Sequence, residues 1–248
     1  MRLDKAIFLR GLSQSRSRAE QLILRGDVQV NHVLVQKPSY QVKESDMISV
    51  NDSIGYVGRG GLKLEYALET FEIVCEGKKA LDIGASTGGF TQCLLNRGAQ
   101  SVIAVDVGHG QMAPVLAQDK RVRLLENTNA RTLTPTLLGG RVDLAVMDVS
   151  FISQTVLYPA VFSCVEEEAP VIALVKPQFE AGSRYLNKKG VVKDKKVFLN
   201  VLENIDACAR KSGRGIAEYC VSPILGGDGN TEFFVWLKKD APKQKFQF

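Results

Sequence analysis

The stretch Leu81-Asp82-Ile83-Gly84-Ala85-Ser86-Thr87-Gly88-Gly89-Phe90 constrains the fold more than any other part of the sequence. An apolar run from Ala80 to Ile83 stops at glycine, and Phe90, Cys93, Leu94 and Leu95 follow at helical spacing, which predicts strand, tight turn, helix. Glycines let the backbone turn sharply and approach a ligand closely, and the helix start offers unpaired N–H groups. The spacing G-x-x-x-G-G is not the dinucleotide fingerprint G-x-G-x-x-G. Nor is it the phosphate loop, because Phe90 stands where that loop needs Lys. An adenosine-type ligand with little phosphate fits best, and S-adenosylmethionine is the leading candidate. For the loop alone, a ligand-free strand–helix turn is the competing reading.

Composition narrows the class. The 248 residues suffice for one α/β domain and a small appendage. A net charge of +5 permits a nucleic-acid partner without requiring one. Cys75, Cys93, Cys164, Cys208 and Cys220 are scattered and odd in number, so reduced thiols are expected, not a disulfide framework or zinc site. His32 and His109 are the only histidines, which leaves little for a metal centre or a Ser-His-Asp triad, and no metal is expected. Neither a signal peptide nor a membrane span is legible, and the expected location is cytoplasmic.

Residues 1–53 read as a separate α+β module. Leu3, Ala6, Ile7 and Leu9 have helical spacing. A second helix begins at Ser15 or Ser17 and stops at Gly26. Val28, Val30, Val33 and Val35 then alternate with polar residues, with Asn31-His32 as a hairpin turn, and residues 47–50 give another short strand. Arg2, Lys5, Arg10, Arg16, Arg18 and Arg25 crowd its helical half against Asp4 and Glu20, a surplus suited to phosphate contacts or to a solvated basic face. A glycine-rich linker is expected over 54–61. Leu64, Leu68 and Phe71 mark one face of the helix that leads into a second domain, 62–240, followed by a tail, 241–248.

From residue 79 strands alternate with helices, at 79–83, 101–106, 122–126, 142–148 and 171–176, with 217–221 and 233–237 completing a doubly wound sheet. Ligands in such sheets sit beyond the carboxyl ends of the strands. Those ends carry the glycine turn, then Asp106, suited to ribose hydroxyls, and Glu126-Asn127 near Asn129 and Arg131, where an adenine edge could be read. The remaining ends carry Asp148 and Lys176. The expected cofactor residues are Asp82, Gly84, Ala85, Ser86, Thr87, Gly88, Gly89, Phe90, Asp106, Asn127, Asn129 and Asp148.

Two resemblances then apply. Arg2-Leu3-Asp4, Ser15–Ala19 and Ile23–Asn31 resemble the S4 RNA-binding domain. Gly58–Leu64, Leu81–Thr91, Val105–Gly108, Asp148–Ser153 and Lys176–Glu180 resemble the TlyA family, which joins an S4 domain to an FtsJ-type ribose 2′-O-methyltransferase. The resemblance implies a Rossmann-like class I S-adenosylmethionine-dependent methyltransferase, with a seven-stranded, mostly parallel sheet whose last strand is antiparallel. It also implies ribosomal RNA as partner, a cytidine 2′-hydroxyl as acceptor, and a catalytic tetrad at Lys63, Asp148, Lys176 and Glu232. Lys176 is the expected base, with Lys63 and the donor sulfonium lowering its proton affinity and the two carboxylates orienting the lysines. Phe151 or Phe179 could stack on a flipped-out nucleotide. Gly58, where relatives usually have Ser, and His109-Gly110-Gln111 depart from the pattern without touching the tetrad. Three readings compete less well: a non-catalytic RNA-binding protein, a membrane-active haemolysin (a label the family has also carried), and a nicotinamide dehydrogenase, which fails on the glycine spacing.

Overall fold

The computed structural model describes the chain except residues 14, 51–54, 227–228, 244 and 248 and the side chains of Gln21 and Arg25. The chain divides into two units, Met1–Gly58 and Arg59–Phe248. Residues 53 and 54, on either side of the expected boundary, lie outside the described residues.

In the first unit α1 (Leu3–Leu9) packs on α2 (Arg16–Arg25), followed by β1 (Val28–Val30), β2 (Val33–Leu34) and β3 (Ile48–Val50) in the antiparallel order β2-β1-β3. Ser15 caps α2, its Oγ accepting the Arg18 N–H at 3.1 Å, and Gly26 closes the helix at φ 90°. Asn31 and His32 make the hairpin turn at φ 50° and 67°. Leu3, Ala6, Ile7, Ala19, Leu22, Ile23, Val28 and Val30 form the core. Leu9 and Val33 are exposed, because α1 ends at Leu9 and β2 is a two-residue edge strand.

The second unit opens with α3 (Gly60–Thr70), so Gly60 and Gly61 are helical where a linker was expected. Then follow β4 (Lys79–Ile83), α4 (Gly89–Asn96), β5 (Ser101–Val105), α5 (Pro114–Ala117), β6 (Val122–Leu125), α6 (Pro135–Leu138), β7 (Leu144–Met147), α7 (Tyr158–Cys164), β8 (Val171–Val175), α8 (Pro177–Glu180), α9 (Lys195–Lys211), β9 (Arg214–Val221) and β10 (Phe233–Lys239). The sheet order is β6-β5-β4-β7-β8-β10-β9; the pairings among β4 to β8 are parallel, and β10 is antiparallel to both its neighbours. Strands β7 and β8 are buried throughout, as strands covered on both faces must be. The chain order reverses between β4 and β7, which opens a crevice at their carboxyl ends.

Candidate active site

The glycine turn sits at that crevice. Gly84 has φ 80°, and a Cβ there would overlap the carbonyl of Asp148, whose own N–H donates to Ile83 O at 2.8 Å. Only glycine lets β4 and β7 stay in register where the turn begins. Gly88 stands at φ 95°, and a Cβ on it would meet Met112 Sδ at 2.5 Å. Beneath the turn, Asp82 is fully buried and accepts the Thr91 hydroxyl at 2.6 Å. Burial pushes its carboxyl up to about 7, opposed by the Thr91 hydrogen bond and helped by the Asp148 charge. Phe90 is also buried, stacked on Phe234 at 6.1 Å. Asp82 and Phe90 therefore support the turn from below. Ser86 and Thr87 are exposed on it.

Beside the turn lies a cavity of about 380 Å³ whose lining includes Gly84, Ser86, Asp106, Asn129, Asp148 and Phe151. Asp106 accepts the Ser86 N–H at 2.7 Å and the Gly108 N–H at 2.6 Å, which fixes its carboxylate at the mouth of β5. Asn129 lines the cavity and also caps the turn Ala130–Thr132 through the Arg131 N–H. Asn127 is held at φ 51°, with its N–H on Gly108 O. Ala85 is buried. Gln111 has no role legible from its sequence position, yet it lines the cavity and accepts the Ser86 hydroxyl at 3.1 Å.

The four tetrad positions form two ion pairs. Lys63 Nζ, from α3, lies 2.5 Å from Glu232 Oε2, and both side chains are buried. Lys176 Nζ lies 2.6 Å from Asp148 Oδ1, off the line of a hydrogen bond, and donates to Ser150 Oγ at 2.8 Å. The ladder joins the pairs: Phe233 opposes Val175 in the antiparallel β10–β8 register, so one step further Glu232 stands level with Lys176. Gly60 brings α3 close to the same place, since a Cβ there would lie 3.9 Å from Asp148 Oδ2. Glu180 ends the Lys176–Glu180 motif, and its sequence position alone suggests no role. Its carboxylate accepts Ser153 Oγ at 2.6 Å and the Gln154 N–H at 2.9 Å, tying the loop after Asp148 to α8. Phe151 is 91% exposed at φ 64°, its ring 5.0 Å from that of Phe179.

The basic residues of the first unit are distributed differently from the expectation. Arg2 and Arg16 both bind buried Asp4, Arg10 holds the carbonyls of Lys43, Glu44 and Asp46, and Arg18 is buried with its guanidinium on Tyr56 O. Arg2, Arg10 and Arg16 keep exposed surface, as does Lys5; Arg18 does not. The Arg25 side chain lies outside the described part.

A glycine turn at a sheet reversal, an acidic end on the next strand and an antiparallel last strand define the fold of the class I methyltransferases. Residues 56–239 match the FtsJ-like methyltransferase family and residues 1–48 match the S4 domain. The chain is 43% identical over 244 residues to the 16S/23S rRNA (cytidine-2′-O)-methyltransferase TlyA of Mycobacterium tuberculosis, covering 98% of this chain and 91% of that one. It is 40% identical to Hemolysin A of Brachyspira hyodysenteriae, covering 94% of this chain and 98% of that one. A solved structure of a candidate hemolysin from Streptococcus thermophilus matches with a TM-score of 0.78 at 39% identity, covering 98% and 90%. The chain belongs to the TlyA family. No helix among the described residues is long and apolar enough to cross a membrane.

Proposed function

We propose that this protein transfers the methyl group of S-adenosylmethionine to a ribose 2′-hydroxyl, that of a cytidine, in ribosomal RNA. The observation that carries the reading is the pairing of Lys63 with Glu232 and of Lys176 with Asp148 on the rim beside the glycine turn. The residues present fit the donor: the Cβ-free surface at Gly84 admits a close ligand, and Asp106 presents a carboxylate suited to a ribose diol. Gly84, Ser86, Asp106, Asn129 and Gln111 would hold it, with Asp82 and Phe90 supporting the turn. The bound donor supplies an electrophilic methyl group to an attacking oxygen.

The chain's own work is to position that oxygen and take its proton. Lys176 in its neutral form accepts the 2′-hydroxyl proton at Nζ. Asp148 and Ser150 hold that nitrogen in place, within the geometric tolerance that attack in line demands. Lys63, fixed by Glu232, adds positive charge where the alkoxide develops. Phe151, with an open face, offers a stacking surface for the base of an everted nucleotide. The S4 unit contributes affinity for the RNA through Arg2, Lys5, Arg10 and Arg16. Incubation with tritiated methyl donor and each purified ribosomal subunit should place label on a subunit RNA at a cytidine 2′-oxygen. Label on a base, or none on either subunit, would contradict the proposal.

A further inference from the structure

The crossover after α8 together with the first two residues of α9, residues 182–196, carries Arg184, Lys188, Lys189, Lys193, Lys195 and Lys196 against the single Asp194. That surplus of five positive charges matches the formal net charge of +5 for the whole chain, so the rest of the sequence is balanced overall. All six cations are exposed, and among the described residues none of their side chains pairs with a carboxylate. Asp194 is occupied as the cap of α9, accepting the Lys196 N–H at 2.9 Å. A cluster of like charges costs electrostatic energy when left without counter-charges.

The segment is nonetheless fastened down. Leu186 and Val192 pack on the main core. Asn187 Oδ1 accepts the N–H groups of Lys189 and Val191, which folds the lysine turn on itself. Buried Asn230 accepts the Val192 N–H at 3.0 Å and donates to Gly190 O at 3.1 Å. Asn230 stands two residues before Glu232, and the crossover starts on the β8 side from Lys176, so this anchored basic turn leaves the same rim as the tetrad.

The geometry points to residues 182–196 as a preformed surface for the phosphate backbone of the RNA strand that carries the acceptor ribose. The inference rests on the reading of the chain as an RNA methyltransferase and specifies how the methyltransferase unit grips its substrate. Lysines act as point charges toward phosphate and need no base-specific geometry, which suits a contact that positions a strand without reading it. An anionic lipid surface fits less well: Val192 is buried, Leu186 and Val191 are half-buried, and no run of exposed apolar side chains accompanies the lysines for insertion.

The test uses the full-length protein carrying Lys188→Gln, Lys189→Gln and Lys193→Gln together, all surface positions. Affinity for purified ribosomal subunits is measured across a salt series, alongside KM, kcat and donor Kd. Every lysine–phosphate pair removed should lower the slope of log affinity against log salt by about 0.7–0.9, so the slope should fall by about two and KM rise about tenfold. The turnover number and donor Kd should stay within about twofold. An unchanged slope and KM, in a variant whose wild-type parent methylates the subunit, would overturn the surface alone. A wild-type protein that neither binds nor methylates either subunit would instead overturn the parent reading. Loss of binding to phosphatidylserine vesicles with subunit binding intact would overturn the inference in favour of a membrane partner.

Discussion

At the residue scale the glycine turn depends on two kinds of side chain, those absent and those hidden. Adding a methyl at Gly84 would force it into the Asp148 carbonyl at a φ of 80°, so Gly84→Ala must move either β7 or the turn. Donor affinity, measured by calorimetry, should fall at least about tenfold, and an unchanged Kd would show that the turn does not contact the donor. Asp82 gives a pH signature. Its folded-state value of about 7 lies above that of an unfolded aspartate, so the folded state holds the extra proton between about 4 and 7. Stability from this group is therefore full below about pH 4 and is lost as pH rises toward 7. Asp82→Asn, which keeps an acceptor for Thr91, should flatten unfolding free energy against pH between about 4 and 7 by a few kcal/mol at most. An unchanged slope in denaturant titrations would assign the pH dependence to other groups.

At the scale of elements the helix pair of the first unit is joined by Asp4. It lies on α1, buried, and receives Arg2 from the same helix start and Arg16 from α2. The Arg2 hydrogen bond holds its carboxyl down at about 2, with Arg16 and the Lys5 N–H assisting. Because the folded value lies below the unfolded one, this contribution is present above about pH 4 and is lost as pH falls toward 2. Asp4→Asn should cost the first unit about 1 kcal/mol at neutral pH, since both arginines remain partly in water, and should remove that acid-induced loss. Equal acid sensitivity in the variant would exclude Asp4 as its source. These arginines show where sequence reasoning ends. Their count and placement on helices are legible, but the choice between an inward carboxylate and an outward phosphate depends on the α1–α2 packing.

For the whole molecule, the strand–helix alternation and the glycine spacing carry most of the fold, and each parallel strand lies within a residue or two of where apolar runs place it. Listing the carboxyl ends of the strands collects Asp106, Asp148 and Lys176 because topology alone puts them on one rim. Glu232 follows once the last strand is taken as antiparallel, and β10 is. Lys63 is different: it precedes the sheet, no periodicity places it, and only the three-dimensional approach of α3 through Gly60 brings it to Glu232. The contacts of Ser150, Glu180 and Gln111 are not legible in the sequence for a related reason, since each acts by a hydrogen bond to a residue distant in sequence. The Lys176 nitrogen, held by Asp148 and Ser150, is the point on which the proposed chemistry turns. The most direct measurement is single-turnover methyl transfer to the ribosomal subunit that accepts label, comparing wild type with Lys176→Ala, with donor Kd determined in parallel. The account predicts a loss on the order of 10²–10⁴-fold in the transfer rate with donor affinity within a few-fold. Transfer by Lys176→Ala within tenfold of wild type would contradict it.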